Sequence, residues 1–324
     1  MGKELIRLSK SCLGNAEKQA VLGVLDREYL GMGSEVQQFE DALSEFFVRP
    51  AVCVVNGTAA LHLALQSCGI GHGDEVLVPS LTYLASFQAI SATGAKPVAC
   101  DIDPEIFLLD LSDAEKRITA GTKAIMPVHL TGRSCAMDKI MKISKKHNIP
   151  VVEDCAQAFG TKFRNKSCGS FGMIGCFSTH PLKNLNGAGD GGFIVTNNSK
   201  IAKYISQIRN HGLKSRDELE YFGFVSRMDS IQAAILNFRL TKIKKIINKR
   251  RYNATYFYRK LNKKYIFSPP EKKHEFNTYH TFVIQVPNRD KLKKFLKSRN
   301  ILTYVHYPIP IHKQKAYRKM NFET

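Results

Sequence analysis

The segment FSTHPLKNLNGAGDGGFIVT, residues 177–196, places a single lysine, Lys183, among small and polar residues. A lysine enclosed in a pocket loses part of its preference for the charged form, so its amine can act as a nucleophile or as a base. The glycines that follow Lys183 allow the backbone to approach a ligand closely. A lone lysine in a loop is more often a solvated surface residue, so this feature needs support from others.

The same segment contains Gly187, Gly189 and Gly192 in the pattern G-x-G-x-x-G. As a dinucleotide fingerprint, that pattern must follow a strand and open a helix. Here the glycines precede FIVT, which has the composition of a strand. The pattern therefore does not favour a dinucleotide site.

An acidic pair, Glu153 and Asp154, ends the apolar run VVEDC and is followed by Gln157. A carboxylate at the carboxyl end of a strand faces the crevice in which parallel sheets bind their ligands. Such a carboxylate could hold the protonated ring nitrogen of a ligand. The alternatives are a helix N-cap and an ordinary surface acid.

Two further segments could contact a cofactor. Residues 56–58, Asn-Gly-Thr, turn from the apolar run AVCVV into a helix, and a helix N-terminus offers free N–H groups and a positive dipole end to a phosphate. Tyr83, in PSLTYLAS, lies at the start of another helix and could stack on a planar ring. Taken alone, residues 56–58 are more simply explained as the start of a plain capped helix, and Tyr83 as a core aromatic.

The elements that must position these residues alternate along the first 235 residues. The predicted strands are 51–55, 75–79, 96–102, 122–130 and 149–155, and the predicted helices are 14–30, 34–47, 58–69, 80–94 and 137–148, with Ser34 as an N-cap. This rhythm indicates an α/β fold with a mainly parallel sheet and helices on both faces. We therefore expect ligand contacts in NGT, PSLTY, VHLTG and EDCAQ, which all follow strands.

The C-terminal part has a different pattern. Residues 231–261 read as one long helix or two joined helices, and a strand (280–286), a helix (289–300) and a second strand (301–307) follow. This predicts a small α+β unit. We divide the chain into a large cofactor-binding domain, residues 1–238, and a small C-terminal domain, residues 239–324.

The net charge of +20 is concentrated in that last part: residues 239–324 hold 23 of the 48 basic residues and 4 of the 28 acidic residues. A solvated basic surface, attraction of anionic substrates such as nucleotide diphosphates, and a nucleic-acid surface are the three interpretations. Zinc-finger, RRM and KH signatures are absent from the sequence, which disfavours the third.

The composition indicates a cytoplasmic protein. The start, MGKELIRLSK, has no apolar core that a secretory signal needs, and no apolar run approaches the roughly 20 residues of a membrane span. The eight cysteines form no CxxC pair and several lie in apolar runs, which predicts buried or half-buried free thiols rather than a structural zinc site.

Taken together and in order, these segments resemble the DegT/DnrJ-type nucleotide-sugar aminotransferases, members of fold type I of the pyridoxal-phosphate enzymes. The matching segments span about residue 20 to residue 312: NGTAALHLAL, GDEVLVPSLTYLAS, GAKPVACDIDP, EDCAQAFG, GCFSTHPLKNLNGAGDGG, SRMDSIQAAIL and HYPIP. The resemblance implies that fold, pyridoxal 5′-phosphate as cofactor, and a homodimer with the active site at its interface.

The resemblance also implies a role for each matching residue. Lys183 forms the Schiff base with the cofactor and, once displaced by the amino donor, acts as the base. Asp154 pairs with the pyridine nitrogen, Gln157 lies by the ring hydroxyl, and Tyr83 stacks on the ring. The phosphate contacts are Gly57, Thr58 and Ser178.

Two features depart from the family pattern. The family commonly has an asparagine two residues before the arginine of its RM motif, which reaches the phosphate of the neighbouring subunit, whereas this chain has Val225, which cannot donate a hydrogen bond. The chain also ends at NFET, where relatives usually continue. We therefore expect a small domain that lacks its last strand and helix.

The function that the resemblance implies is transamination of a nucleotide-linked keto-deoxysugar, with glutamate as donor, for lipopolysaccharide, other glycans or antibiotics. Family members with histidine at the Schiff-base position are sugar dehydratases, so Lys183 favours transamination. A dehydratase or related lyase, a catalytically impaired binding or regulatory protein, and nucleic-acid binding remain alternatives.

Overall fold

The computed structural model describes residues 4–27 and 30–320 of the 324 in the chain, and its centre is a β-sheet. The strands are β1 Ala51–Val54, β2 Glu75–Pro79, β3 Lys96–Cys100, β4 Thr122–Ile125, β5 Val152–Asp154, β6 Lys162–Phe163, β7 Lys166–Ser167, β8 Ile174–Ser178, β9 Gly192–Thr196 and β10 Glu275–Phe276.

The central sheet is mainly parallel, as predicted. Its strands have the orders β1-β9-β8-β5 and β3-β2-β4, and parallel bridges from Ile125 to Val151 and from Val128 to Asp154 join β4 to β5. Only β9 runs antiparallel to its neighbours, β1 and β8, whereas β2–β3, β2–β4 and β5–β8 are parallel. The carboxyl ends of β1, β2, β3, β4, β5 and β8 therefore lie along one edge.

Helices cover both faces of this sheet. They are α1 Asn15–Leu25, α2 Ser34–Phe47, α3 Gly57–Ser67, α4 Ala85–Ala92, α5 Leu111–Lys116, α6 Met137–His147, α7 Ser199–Ile208, α8 Ser230–Lys260, α9 Arg289–Ser298 and α10 Lys315–Lys319. Short 3₁₀ turns lie at Leu130–Gly132 and Ile311–Lys313.

The alternation of side chains along each strand sends apolar residues to both faces. Val52 and Val54 of β1 pack with α3, α4 and α7 in one buried cluster. Ala51 and Cys53 of the same strand pack with α2 and α8 in another. Each cluster removes a continuous apolar surface from water, which is the main force holding the helices on the sheet.

Most predicted elements of the first part are present with shifted ends. The N-cap of α2 was predicted wrongly: Ser34 is the first helical residue and Gly33 is the cap. Gly33 adopts an extended backbone there, and its N–H donates to the hydroxyl of Ser230 at 3.0 Å. Residues 28 and 29 of the predicted helix 14–30 lie outside the described residues. The same holds for residues 321–324 of the predicted small domain.

The C-terminal part differs more from the prediction. The segment 231–261 forms a single helix, α8, but the predicted strands 280–286 and 301–307 are each reduced to one bridge, Phe267–Gln285 and Ile6–Ile301. The backbone of 280–286 makes a hydrogen bond to a side chain instead of to a neighbouring strand: Arg250 donates to the carbonyl of His280 at 2.9 Å. The division of the chain at residues 238 and 239 falls inside α8 and stays a prediction.

A tight contact joins the C-terminal part to the loop after β4. Gly132 has a φ of +84°, and an added Cβ would lie 2.8 Å from the hydroxyl of Thr278 and 2.9 Å from the nitrogen of His280. The N–H of Thr278 donates to the carbonyl of Gly132 at 2.9 Å. Only glycine combines this backbone conformation with this approach, so Gly132 fixes where segment 277–281 meets the sheet edge.

The thiols and the helices bear on two other predictions. All eight cysteines are free, and only Cys12 is exposed, which confirms the prediction for the other seven. Within residues 4–27 and 30–320, none of the helices is long and apolar enough to cross a membrane.

Candidate active site

The residues predicted to carry chemistry meet at the edge where the parallel strands end. Asp154 is the last residue of β5 and Ser178 the last of β8, while Asn56 follows β1 and Tyr83 follows β2. Because β9 begins where β1 and β8 end, Gly192 pairs with both Val54 and Ser178. The sheet order thus brings together segments that lie far apart in the sequence.

Asp154 is a buried acid with donors on both oxygens. Its side chain is 5% exposed, which excludes an ordinary surface acid. The hydroxyl of Ser86 donates to Oδ2 at 2.8 Å, and the N–H of Ala156 donates to Oδ1 at 3.1 Å. Burial raises the pKa of Asp154, while Ala156, Ser86 and the charge of Lys183 act in the opposite direction.

Lys183 lies on the turn that connects β8 to β9. The turn is closed by hydrogen bonds from the N–H of Lys183 to the carbonyl of His180 and from the N–H of Gly187 to that of Thr179, both 2.8 Å. Burial lowers the pKa of Lys183, and the negative charge of Asp154 opposes the shift. The amine is therefore easier to deprotonate than an exposed lysine and lies within electrostatic reach of the buried acid.

A close backbone approach brings together Gly57, Thr58 and Ser178, the residues predicted to contact a phosphate, and we call this group the phosphate cradle. Asn56 caps α3 by accepting the N–H of Ala59 at 2.8 Å, so α3 begins at Gly57. A Cβ on Gly57 would lie 2.7 Å from the Cβ of Ser178, and one on Gly192 would lie 2.8 Å from the nitrogen of Gly57. These glycines hold the helix N-terminus against Ser178, with Thr58 next to it, in an arrangement that fits a phosphate.

The loop after β4 anchors Gln157. Its Oε1 accepts the N–H of Thr131 at 2.7 Å, and its Nε2 donates to the hydroxyl of Tyr307 at 3.3 Å. Thr131 has a φ of 61°, which is unusual for a β-branched residue. Burial raises the pKa of Tyr307 to about 12, so its hydroxyl is protonated at neutral pH.

Tyr83 is 52% exposed, so the alternative that it is a core aromatic is wrong. Its ring centre lies 6.1 Å from that of Tyr307, with the planes inclined at 48°. The hydroxyl of Tyr307 also contacts Gln157, so the two rings and this amide lie near one another. A flat ligand ring placed there would have an aromatic face available for stacking.

The sequence analysis missed several polar residues at this edge: Ser86, Thr82, Thr131, Tyr307 and His280. Tyr307 lies in HYPIP, one of the segments that match the family, but the sequence indicated no role for it. Burial and the positive charge of Lys183 hold the pKa of His280 well below its ordinary value, so this imidazole is neutral and lies within electrostatic reach of the amine. Local patterns could not reveal the contacts of Ser86 with Asp154 or of Tyr307 with Gln157, because each joins distant parts of the chain.

Behind Asp154 lies a buried network around Glu153. One oxygen accepts the N–H groups of Phe171 and Gly172, both at 2.7 Å, and the other accepts that of Gly169 and contacts Nε2 of His129 at 3.0 Å. His129, Glu153 and Cys155 lie within metal-binding distance of one another. The lone pairs of Glu153 are already occupied by N–H donors, so the cluster acts as a structural network.

Val225 lies beside the phosphate cradle but points to the surface, with 62% of its area exposed. The N–H of Val55 donates to the carbonyl of Ser226 at 3.1 Å, which ties this segment to the residue before the α3 cap. Phe222 is 93% exposed and Phe224 is also exposed. Val55, Leu219, Phe222, Phe224 and Val225 are all exposed apolar residues, and we call this group the apolar surface patch.

The chain is similar to known proteins over most of its length. The sequence model of the DegT/DnrJ/EryC1/StrS aminotransferase family matches residues 11–324. The chain is 41% identical to a dTDP-3-amino-3,6-dideoxy-alpha-D-galactopyranose transaminase of Aneurinibacillus thermoaerophilus, over 95% of this chain and 85% of the relative. It is 39% identical to a pleiotropic regulatory protein of Geobacillus stearothermophilus, over 83% and 73% of the two chains.

Solved structures show the same fold. S. venezuelae DesV, in complex with a ketimine intermediate, superposes with a TM-score of 0.91 at 37% identity, over 94% of this chain and 82% of that one. NtdA from Bacillus subtilis, with bound cofactor PMP, superposes with a TM-score of 0.87 at 31% identity, over 94% and 72%. These similarities confirm two predictions, the fold type I aminotransferase fold and pyridoxal phosphate as cofactor.

Proposed function

Because the chain belongs to the DegT/DnrJ/EryC1/StrS aminotransferase family, we propose that it transfers an amino group to a keto-deoxysugar carried by a nucleotide. The observation that carries this proposal is the placement of Lys183 and Asp154 at one sheet edge, the acid buried and the lysine half-buried, with each acting electrostatically on the other. The amino donor is L-glutamate, and the product is a nucleotide-linked amino sugar.

The residues at the sheet edge fit the cofactor. The α3 N-terminus at Gly57, with Thr58 and Ser178, would hold the phosphate, and Asp154 would accept the ring N–H. When bound, pyridoxal phosphate supplies an electron sink that stabilises negative charge at the carbon undergoing proton transfer. Gln157 would lie by the ring hydroxyl and Tyr83 on the ring face.

Lys183 would attach the cofactor and then move a proton. Partial burial of the side chain lowers the pKa of Lys183, so its amine is more readily available as a neutral base than that of an exposed lysine. The neutral imidazole of His280 lies within electrostatic reach of the same amine and adds no positive charge that would repel a protonated Nζ. The turn from His180 to Gly187 thus provides both the nucleophile and its orientation.

The nucleotide-sugar acceptor is supported by the relatives. The transaminase of Aneurinibacillus thermoaerophilus is named for a dTDP-linked amino sugar, and an aminotransferase of Pseudomonas aeruginosa is named for a UDP-linked 3-oxo sugar. The basic residues 239–324 would attract an anionic diphosphate. Amino sugars of this kind enter surface glycans such as lipopolysaccharide, and the free thiols fit a reducing cytoplasm.

We also propose a homodimer formed through the apolar surface patch. Exposed apolar patches of this type commonly mark protein–protein contacts, and this one adjoins the phosphate cradle. A second copy seated on it would exclude water from the cofactor phosphate. Because Val225 cannot donate a hydrogen bond, this copy would contribute apolar contact there rather than a polar one.

Product analysis tests the reaction. Purified protein with pyridoxal phosphate, glutamate and a panel of nucleotide keto-sugars should yield 2-oxoglutarate and an amino sugar in equal amounts by mass spectrometry. Lys183→Ala should lower turnover by at least about 10²-fold, the low end of what a general base contributes. Lys200→Ala, at an exposed lysine in α7, is the matched control and should keep wild-type turnover.

A chemical trap tests the attachment independently. Borohydride reduction followed by peptide mass spectrometry should find the pyridoxyl group on Lys183. Dehydration of the sugar without nitrogen transfer would support a dehydratase instead. Tight nucleotide binding with no pyridoxyl peptide would support a regulatory protein, the role suggested by the name of the Geobacillus relative.

A further inference from the structure

Ser86 is a fully buried serine in the first turn of α4. Its hydroxyl lies 2.8 Å from Oδ2 of Asp154, across 68 residues of sequence. The hydroxyl of Thr82, itself 2% exposed, lies 2.8 Å from that of Ser86. These two hydroxyls and the acid form a dry row behind the proposed position of the cofactor ring.

The direction of the protons in this row follows from chemistry. An ionised carboxylate only accepts hydrogen bonds, so the hydroxyl proton of Ser86 must point to Asp154. The oxygen of Ser86 is then free to accept, and Thr82 supplies its proton. Hydrogen bonds in such a chain polarise one another, which strengthens the bond to the charged end.

The row also fixes the orientation of Asp154. Ser86 binds Oδ2 while the N–H of Ala156 binds Oδ1, so the carboxylate cannot rotate without breaking one of the two bonds. Each oxygen keeps a further lone pair for another donor. Both bonds favour the ionised acid and oppose the effect of its burial.

Tyr83 lies between the two hydroxyl residues in sequence. The N–H of Ser86 donates to the carbonyl of Tyr83 at 3.2 Å, closing the turn that opens α4. One short segment, residues 82–86, therefore carries both the ring proposed for stacking and the hydroxyl that holds the acid. A shift of this segment would disturb both contacts together.

We propose that Ser86, with Thr82 behind it, is a positioning residue that holds Asp154 ionised and aimed at the nitrogen of the cofactor ring. This inference rests on the proposed role of Asp154. Without the Ser86 proton, the ionised form of Asp154 would be less stable, so the acid would compete more strongly for the ring proton and would weaken the positive charge that makes the ring an electron sink.

The test uses Ser86→Ala and Thr82→Val in the full chain, with Ser86→Thr as the conservative rescue. Ser91→Ala, a change in the same helix away from the acid, is the control. Each protein is reconstituted with cofactor labelled with ¹⁵N in the ring, and its nitrogen chemical shift is recorded. Titration of the cofactor-free proteins gives the cofactor Kd, and steady-state kinetics separates kcat from KM.

In Ser86→Ala we expect the ring nitrogen to shift toward the unprotonated value and Kd to rise about tenfold, as for loss of a bond to a charged group. The value of kcat should fall with little change in the KM for the sugar. Thr82→Val should move the shift in the same direction by less, and Ser86→Thr and Ser91→Ala should match wild type.

Two results would overturn the inference, and they are distinguishable. A wild-type shift and Kd in folded Ser86→Ala would remove the role of Ser86 alone. A ring nitrogen that is unprotonated already in the wild-type protein would refute the role of Asp154, and the inference about Ser86 would fall with it. Thr82→Val provides the same test should Ser86→Ala fail to fold.

Discussion

At the scale of single residues, the candidate site depends on a buried acid, Asp154, and a half-buried amine, Lys183, whose pKa values are shifted in opposite directions. Burial raises the pKa of Asp154 and lowers that of Lys183. The charge of each group partly offsets the pKa shift of the other, since the acid stabilises the ammonium and the ammonium stabilises the carboxylate. The pair can therefore respond strongly to the loss of either member.

The first prediction concerns the acid–amine coupling in the cofactor-free protein. Asp154→Asn removes the negative charge that raises the pKa of Lys183, so the pKa of that amine should fall further below its ordinary value. The measurement is the rate of acylation of Lys183 as a function of pH, followed by peptide mass spectrometry. Lys200 in the same samples is the internal reference, and an unchanged or raised pKa for Lys183 would contradict the coupling.

The second prediction concerns Glu153. Burial acts to raise its pKa, but His129 and the N–H groups of Gly172 and Gly169 outweigh this and hold the pKa below its ordinary value. In Glu153→Gln an amide NH₂ group replaces one acceptor, and the free energy of unfolding should fall by about 3–5 kcal/mol, as when a buried charged partner is removed. Urea unfolding measures this.

The pH dependence of that stability has a definite sign. The folded-state pKa of Glu153 is depressed, so its stabilising contribution is fully present above the pKa of the unfolded chain. The contribution is lost as the pH falls through the folded-state pKa. The stability difference between wild type and Glu153→Gln should therefore shrink in acid, and a difference that grew as the pH fell would contradict the network.

At the scale of elements, α3 and β8 meet without room for a side chain between them. This contact holds free N–H groups of the helix next to the hydroxyl of Ser178, and a phosphate gains most from donors that are already in place. The strand pairing of β9 with both β1 and β8 enforces the approach. The cradle is thus a property of the sheet order rather than of one loop.

The third prediction tests this contact. In Gly57→Ala the new Cβ would lie 2.7 Å from that of Ser178, so the helix start must move away and the Kd of pyridoxal phosphate should rise at least about tenfold. Fluorescence titration of the cofactor-free protein measures it. Gly23→Ala, where nothing lies within 4 Å of the new Cβ, is the matched control and should keep the wild-type Kd.

At the scale of the whole molecule, polarity is distributed unevenly. Basic residues gather in the C-terminal part, which the tight contact at Gly132 holds against the sheet edge. The apolar surface patch lies beside the phosphate cradle at that same edge. The molecule therefore presents a basic part suited to anions and an apolar surface suited to a second copy.

The fourth prediction concerns assembly. By light scattering, the wild-type protein should have twice the mass of one chain. The double variant Phe222→Asp, Val225→Asp should have the mass of a single chain, because a buried unpaired charge disfavours the contact between copies. Cofactor affinity should weaken in the same variant. Val48→Asp changes a residue that is 89% exposed at the opposite edge of the sheet and should leave the dimer intact. A monomeric wild-type protein with full turnover would refute the proposal.

The sequence by itself determined the class of fold, the cofactor and the residues that could carry its chemistry. Alternating apolar patterns predicted the strands, and ordered motifs around Lys183, Asp154 and Gly57 indicated the family. These signals are local, because strand periodicity and a turn with its flanking residues are each written within a few positions. The same local character explains why the strands 280–286 and 301–307 were predicted wrongly, since their pairing partners were not decided locally.

Only the tertiary structure decided which distant side chains meet. The contact of Ser86 with Asp154 spans 68 residues, and that of Gln157 with Tyr307 spans 150. Such contacts depend on sheet order and on the close approach at Gly132, which no local pattern encodes. The physical reason is that a hydrogen bond requires its two atoms within about 3 Å, and that condition is met by the packing of whole elements.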